Sequence, residues 1–254
     1  MSSRGLFARV ALVLGLVFLY VPIVSMIVFS FNNSRLVTVW DAAHSPTLKW
    51  YRTLASNEQI LGAAWLSIRI ALVSASAAVV LGTLAGMALA RFGPFRGRLL
   101  LAGMTSAPLV MPEVITGLSL LLLFVAMGQL IGWPRGVGAI TIALAHITFC
   151  MAYVTVVVQS RLTGFDESLE EAAMDLGARP LTVFGRITLP LILPAIASGW
   201  LLAFTLSWDD LVITQFVAGP GSTTLPMVIF STVWMRYRER RRERDLQLAA
   251  AANL

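Results

Sequence analysis

Long apolar segments without charged residues alternate with short polar segments along most of the chain. Several of these segments reach the roughly 20 residues that an α-helix needs to cross the hydrocarbon core of a bilayer. They are Val10 to Ser34, Ile70 to Ala90, Val114 to Pro134, Gly136 to Ser160 and Ile187 to Trp208. The pattern therefore predicts an all-α integral membrane protein with five transmembrane helices.

The expected helices cover about 10–31, 63–90, 99–129, 137–160 and 191–216. Because proline lacks a backbone N–H, we expect Pro22 to kink or weaken the first helix. For the same reason Pro108 and Pro112 are expected to bend or break the third. The first apolar segment is too long for the core of a signal peptide and is expected to remain as a span. The apolar stretch after Pro226 is too short to span.

Composition excludes several classes of protein. Hydrophobic residues make up 57% of the chain and charged residues only 13%, which is far from the balance of a soluble domain. Half of the net charge of +6 comes from the run RYRERRRERD at 236–245, so it is a local feature and does not indicate nucleic-acid binding. The single cysteine, Cys150, lies in an apolar segment, where it forms no intramolecular disulfide and its simplest role is packing.

The distribution of arginines predicts the orientation, because cytoplasmic loops of membrane proteins collect positive charge. With the N-terminus in the cytoplasm, the inner segments hold Arg4, Arg9, Arg91, Arg96, Arg98, Arg161, Arg179 and Arg186. Five spans then leave the arginine-rich C-terminal run outside, against the same rule. We therefore expect either an irregular segment within 211–235 or a chain that lacks a final helix.

The polar stretch 161–186 separates the last two predicted spans. From Phe165 onward its apolar side chains recur at helical spacing, with acidic residues on the other side. Asp166 is expected to cap this helix, Gly177 to end it and Pro180 to begin a second short one. The stretch is either a connector that packs on its own membrane domain or a compact surface for another protein. In the second case, the small side chains of Ala172 and Ala173 would let the partner's surface approach the backbone closely.

Within this stretch, the residues Glu171, Ala172, Ala173, Gly177, Ile187, Leu189 and Pro190 have the order and spacing of the EAA motif. The chain therefore resembles the permease subunits of bacterial ABC importers, in which this loop forms coupling helices that sit in a cleft of the cytoplasmic ATPase. The resemblance implies the MetI-like fold of type I importer permeases and assigns an ATPase-coupling role to those residues, in a loop spanning 161–190.

Further stretches resemble the polyamine branch of this family, and most closely its putrescine permeases. They include APLVMPEVITGLSLLLLFVA at 107–126 and SWDDLVITQFVAGPGSTTLPM at 207–227. The resemblance implies a bacterial inner-membrane subunit that transports putrescine, or alternatively spermidine or another small cation. The implied partners are an ATPase dimer that binds the ATP and magnesium, a second and different permease subunit, and a periplasmic binding protein.

The resemblance ends near residue 233, where relatives continue into a sixth transmembrane helix. We therefore expect a permease domain over 1–235 and an atypical arginine-rich tail over 236–254. We also expect a frameshifted or truncated C-terminus and a protein that assembles poorly into its complex. The alternative to a transporting subunit is a non-functional permease.

Carboxylates at membrane depth indicate candidate substrate contacts, because each costs roughly 2.5 kcal/mol or more at a helix centre unless it is paired or functional. Asp209 and Asp210 lie near the outer edge of the fifth helix, where they can bind ammonium groups beside the cation–π face of Trp208. Glu113, after the break at Pro112, is a candidate for lining a cation pathway. The alternatives are solvated boundary residues for the aspartates and an intersubunit hydrogen bond for Glu113.

The sequence contains no catalytic triad, phosphate-binding loop or metal-binding spacing, so it predicts neither an enzyme nor a cofactor site in this chain. His146, within an apolar helix, is expected to be a hydrogen-bonded core residue. A secondary carrier is a competing class, but it would need an internal repeat or an ionisable relay through the spans. A membrane scaffold would not explain the acidic cluster or the complete loop motif.

Overall fold

The computed structural model describes the backbone of residues 3–34 and 39–252, and every regular element in these ranges is helical. In chain order the helices are α1 (Ser3–Ser30), α2 (Lys49–Ala55), α3 (Glu58–Arg91), α4 (Arg98–Val110), α5 (Glu113–Ile131), α6 (Ala139–Thr163), α7 (Ser168–Asp175), α8 (Pro180–Val183), α9 (Leu189–Asp209), α10 (Val212–Val217) and α11 (Leu225–Ala252), with a π-helical turn (Phe184–Thr188) before α9. The chain divides into two compact units, residues 1–61 and 62–254.

Five helical segments in the described ranges are long and apolar enough to cross a membrane. They are Phe7–Ser30, Glu58–Arg91, Glu113–Ile131, Ala139–Thr163 and Pro180–Asp209. The prediction of an all-α membrane protein with five spans is therefore confirmed.

The first unit consists of α1, an irregular segment and α2. Helix α1 continues through Pro22 without a break. The segment that follows is organised around Asn32, whose side chain is buried and whose Oδ1 accepts a hydrogen bond from the backbone N–H of Asp41 at 3.0 Å. Trp50 in α2 donates its indole N–H to the Asn32 carbonyl at 2.8 Å. This stretch, predicted only to be polar, thus contains a short helix.

The predicted third span is two helices rather than one. Helix α4 ends at Val110, Met111 and Pro112 are extended, and α5 begins at Glu113. The break expected at Pro112 is confirmed, whereas Pro108 lies inside α4 and does not end it. Proline is tolerated at Pro108 because neighbouring groups in a membrane helix can take over the freed backbone carbonyl.

The prediction of one fifth helix over 191–216 is wrong at its C-terminal end. Helix α9 stops at Asp209 and a separate helix, α10, begins at Val212. The cause is the side chain of Asp210, which accepts hydrogen bonds from the backbone N–H groups of Thr214 at 2.8 Å and Ile213 at 3.3 Å. Because this carboxylate satisfies donors at the start of a new helix, it stabilises a break directly after α9.

Helix α11 runs as one element through the arginine-rich stretch, and it is not among the helices long and apolar enough to span. The expected domain boundary at residue 235 falls inside it. The division into 1–235 and 236–254 therefore stays a prediction, with residues 253–254 outside the described part of the chain.

Helix α6 occupies the centre of the second unit, and its side chains Ile142, Val154, Val158 and Leu162 are fully buried. A helix that is apolar on all sides is typical of the interior of a membrane bundle. Helix α3 approaches α6 closely at Gly82, where an added Cβ would lie 2.7 Å from the Val154 Cβ and 3.0 Å from the Met151 carbonyl oxygen.

Replacing Gly82 by alanine is therefore expected to destabilise the second unit by about 1–3 kcal/mol, the usual cost of overpacking a well-packed interface. Gly103→Ala in α4 is the matched control, since nothing lies within 4 Å of its added Cβ. Thermal unfolding of the detergent-solubilised protein measures both. Equal melting temperatures for the two variants would contradict the close packing of α3 on α6.

Candidate functional site

The segment that joins α6 to α9 forms a knob of two short helices. Helix α7 begins at Ser168, one residue later than a cap at Asp166 predicts, and Asp166 accepts a hydrogen bond from the Ser168 backbone N–H at 3.0 Å. This hydrogen bond lowers the pKa of the Asp166 carboxyl below its usual value. The expectation that Asp166 is the N-cap is thus wrong by one residue. Asp166 lies just before the N-cap Glu167, where its carboxyl satisfies one of the backbone N–H groups that the first turn of a helix leaves unpaired.

The turn after α7 depends on Gly177. Its φ of +88° lies in the left-handed region, its N–H donates to the Met174 carbonyl at 2.8 Å, and the Ala178 N–H donates to the Ala173 carbonyl at 3.0 Å. This pair of bonds is the Schellman pattern, which ends a helix and satisfies its last carbonyls. Pro180 then opens α8 at its first position. The stop and restart expected from Gly177 and Pro180 are confirmed.

The knob presents apolar side chains away from the rest of the chain. Leu176 and Leu181 are 90% and 85% exposed, and Leu169 is also exposed. Ala172 and Glu171 are exposed, while Ala173 is half-buried. Exposed leucines around a small alanine form a surface suited to another protein, since a connector that packed on its own membrane domain would bury them.

The remaining residues of the motif lie at the junction of the knob with α9. Ile187 and Leu189 are half-buried and Pro190 is exposed. Ile187 belongs to the π-helical turn, and Leu189 and Pro190 form the first turn of α9. The junction is one continuous helical path from Pro180 to Asp209, so α8 and α9 are joined without a break.

The other end of α9 holds two of the predicted substrate residues. The side chain of Asp209 is exposed and has no hydrogen bond or ion pair in the described part of the chain. The indole of Trp208 stacks on Phe204 with ring centroids 6.1 Å apart, and Phe204 stacks on Trp200 at 5.5 Å. A carboxylate at the C-terminal end of a helix opposes the helix dipole, so helix stability does not explain Asp209.

Asp210 has a different environment from Asp209. Its side chain is only 6% exposed, and its Oδ2 lies 3.1 Å from His146 Nε2 and 2.7 Å from the Thr214 hydroxyl. The other ring nitrogen of His146 hydrogen-bonds Ser207 at 2.7 Å. This buried cluster joins α6, α9 and α10. The prediction that His146 is a hydrogen-bonded core residue is confirmed.

The pairing of His146 with Asp210 escaped the sequence analysis. The two residues are 64 positions apart, and nothing in local spacing marks one as the partner of the other. The only available signal was chemical: a histidine and a carboxylate in apolar segments each require a polar partner.

Glu113 begins α5, where its negative charge suits the N-terminal end of the helix dipole. Its side chain is exposed and lies close enough to Tyr153 for an electrostatic interaction. Among the described residues, no hydrogen bond, ion pair or ring contact joins Glu113 to Trp208, Asp209 or Asp210. The last three are neighbours in sequence with different surroundings, and Glu113 has no direct contact with any of them. In the same ranges, no three His, Cys, Asp or Glu side chains are placed to hold a metal ion.

Comparison with known proteins relates these features to a family. Residues 78–236 match the model of the binding-protein-dependent transport system inner membrane component. The chain is 59% identical over 226 residues to the putrescine transport system permease protein PotI of Escherichia coli K12, covering 89% of this chain and 79% of that protein. It is 43% identical over 216 residues to the spermidine/putrescine transport system permease protein PotC of the same organism, covering 85% and 78%.

A solved structure shares the fold. A chain from a bacterial ABC transporter involved in the import of the acidic polysaccharide alginate superposes with a TM-score of 0.68, over 91% of this chain and 80% of that one. Its sequence identity is 16%, so the likeness concerns the fold alone. The predicted fold of an ABC importer permease is confirmed.

Proposed function

Because the chain belongs to the inner membrane components of binding-protein-dependent transport systems, we propose that it is the permease subunit through which an ATP-driven importer moves putrescine. The observation that carries this proposal is its similarity to the Escherichia coli putrescine permease, which extends over most of both chains. Spermidine is the second candidate substrate, supported by the lower but still extensive similarity to the spermidine/putrescine permease.

A permease of this kind works in a complex. The proposed partners are a pair of ATPase subunits, a second and different permease subunit, and a periplasmic polyamine-binding protein that delivers substrate to the outer face. The ATPase partner binds ATP and magnesium and hydrolyses the ATP. The exposed apolar knob of α7 and α8 supports this assignment, because it provides a surface for the ATPase.

In the proposed orientation the N-terminus lies in the cytoplasm of a bacterium and the chain passes repeatedly through the inner membrane. The knob and the arginines near the ends of α3 and α6 then face the cytoplasm, in agreement with the positive-inside rule. Residues 1–235 form the permease domain and 236–254 an arginine-rich extension. The coupling loop, 161–190, transmits the movement of the ATPase to α9.

Asp209 is the proposed contact for an ammonium group of the substrate, with Trp208 beside it as a cation–π surface. Its exposure and lack of partners leave the carboxylate free to bind a cation. Asp210 is assigned to the pathway in a supporting position, since its oxygens are already bonded to Thr214 and His146. Glu113 is the proposed cation-lining residue at the break between α4 and α5.

We predict that Asp209→Asn lowers uptake of a dicationic polyamine roughly tenfold to hundredfold, because a hydrogen bond to a charged group contributes about 1.5–3 kcal/mol. Radiolabelled putrescine uptake, corrected for the amount of assembled complex, measures the effect. Glu58→Gln, an exposed carboxylate at the start of α3, is the matched control and should transport normally. Unchanged uptake by Asp209→Asn would remove this residue from the pathway.

The substrate assignment is tested by expressing the chain with its ATPase, second permease and binding protein in cells without other polyamine importers. Uptake of labelled putrescine is measured in competition with diamines of different length, spermidine and an uncharged amide. Strong competition by putrescine alone supports the first candidate, and equal competition by spermidine supports the second. Inhibition of uptake by the uncharged amide and by no polyamine would contradict both candidates.

A further inference from the structure

Arg91, the last residue of α3, reaches the coupling knob. Its guanidinium Nε lies 3.1 Å from Glu170 Oε2, and its Nη1 contacts Glu167 Oε1. The guanidinium also lies over the ring of Phe165, 5.9 Å from the ring centroid. One side chain at the end of a transmembrane helix therefore binds two carboxylates and an aromatic ring at the start of the knob.

The two ion pairs differ in burial, and the contribution of an ion pair to stability depends on how buried it is. The side chains of Arg91 and Glu170 are only 11% and 14% exposed, whereas Glu167 is 61% exposed. Exposed ion pairs contribute little because water screens them, and removing one partner of a buried pair leaves an uncompensated charge. The contact with Glu167 is a hydrogen bond, whereas the Nε of Arg91 lies 3.1 Å from Glu170 without hydrogen-bond geometry. Glu170 is nevertheless the partner whose buried charge would be left uncompensated if Arg91 were removed.

Glu170 also connects the knob to the beginning of α9. Its second carboxylate oxygen, Oε1, accepts a hydrogen bond from the hydroxyl of Thr188 at 2.7 Å. Thr188 is buried and is the last residue of the π-helical turn that leads into α9. One carboxylate thus holds three elements together: the end of α3, helix α7 and the entrance to α9.

The chain turns at a glycine on each side of α7. Gly164 precedes the helix and Gly177 follows it, and no side chain lies within 4 Å of a Cβ added at either position. Without Arg91, α7 would lose both ion pairs to the end of α3 and keep the hydrogen bond from Thr188 to Glu170. A force applied to α7 would then be passed less directly to α3.

We propose that Arg91 and Glu170 are positioning residues that make the coupling helix α7 move together with α3 and α9, so that ATP hydrolysis is converted into movement of the pathway. The proposal rests on the proposed function as an ATP-driven permease. It assigns the conversion step to a cluster inside this chain, in addition to the surface that contacts the ATPase.

The test compares Arg91→Ala with Arg96→Ala, an exposed arginine in the loop that follows α3, in proteoliposomes with the complete transporter. Substrate transported per ATP hydrolysed is the measured quantity. For Arg91→Ala we expect this ratio to fall at least about fivefold, the lower end of typical coupling between sites, while ATP hydrolysis persists. Arg96→Ala should leave the ratio unchanged. An unchanged ratio for Arg91→Ala, or an equal fall for both variants, would overturn the proposal.

A double-mutant cycle separates the link from general damage. Glu170→Gln keeps an oxygen that can accept the Thr188 hydrogen bond but removes the charge that binds Arg91. If the two residues act as one link, the double variant has the same transport ratio as the worse single variant. Fully additive losses would contradict a shared role.

A second measurement does not require transport and so distinguishes failure of this proposal from failure of the proposed function. Spin labels are placed at the exposed positions Phe92 and Met174 in a Cys150→Ser background of the full-length protein. The distance distribution between α3 and α7 should be narrow with Arg91 present and clearly broader in Arg91→Ala. Identical distributions would show that the ion pair does not hold the knob.

Discussion

Replacing Ala172 by tryptophan is expected to remove nearly all coupled uptake while the protein still accumulates in the membrane. Ala172 is exposed on α7, next to the exposed side chains of Leu169 and Leu176. A large ring there has room within this chain, so folding is unaffected, but it prevents the close approach of a partner surface. Overpacking of an interface costs about 1–3 kcal/mol, which corresponds to roughly fivefold to more than hundredfold weaker docking.

The measurement pairs uptake in cells with co-purification of the ATPase by the tagged permease. Ala172→Ser, which adds one hydroxyl at the same position, is the control. It should retain normal uptake and should still co-purify the ATPase. Normal uptake by Ala172→Trp would mean that this face of α7 is not the contact with the ATPase. Loss of the permease itself from the membrane would instead indicate that α7 packs within its own chain.

The second large effect concerns stability and separates two adjacent aspartates. Asp210→Ala is expected to destabilise the protein by about 1.5–5 kcal/mol, because it removes the carboxylate that satisfies backbone N–H groups at the start of α10, a contribution of about 0.5–2 kcal/mol, and leaves buried polar groups unpaired at about 1–3 kcal/mol. Asp209→Ala changes an exposed side chain without partners and should alter stability by less than about 0.5 kcal/mol.

Thermal unfolding of the purified protein in one detergent, followed by tryptophan fluorescence, compares the two variants under identical conditions. His146→Ala serves as an independent probe of the same cluster, since its ring contacts both Asp210 and Ser207. It should resemble Asp210→Ala and not Asp209→Ala. Equal melting temperatures for Asp209→Ala and Asp210→Ala would contradict the conclusion that only the buried Asp210 contributes to stability.

The features that sequence predicted well are those that depend on neighbouring residues. The break at Pro112 follows from a missing N–H, and the turn at Gly177 follows from a backbone angle that glycine adopts without strain. The spans follow from their length and apolar composition. Each of these properties is local, so the order of residues is enough to reveal it.

The features that sequence analysis missed depend on the partners that folding supplies. Asp209 and Asp210 are identical in type and adjacent, and only the tertiary structure distinguishes the exposed one from the one bonded to His146. The end of α9 was misplaced because apolar residues continue through Val217 and hide the capping role of Asp210. The contact of Arg91 with Glu170 was missed for the same reason, since it joins residues on different helices.

The two ends of α9 have different roles in the proposed mechanism. At one end, the π-helical turn and Thr188 tie the span to the knob. At the other end, Trp208 and Asp209 offer a cation–π face and a free carboxylate. Because α9 is continuous between them, the proposed mechanism requires that a movement of the knob shifts the proposed substrate contacts.

The most direct test of this account measures putrescine uptake and ATP hydrolysis together in proteoliposomes that contain this chain, its second permease, the ATPase pair and the binding protein. The account predicts that uptake requires both ATP and the binding protein, and that it stops when ATP is replaced by a non-hydrolysable analogue. Uptake that proceeds without ATP and follows an imposed ion gradient would contradict it and identify a secondary carrier.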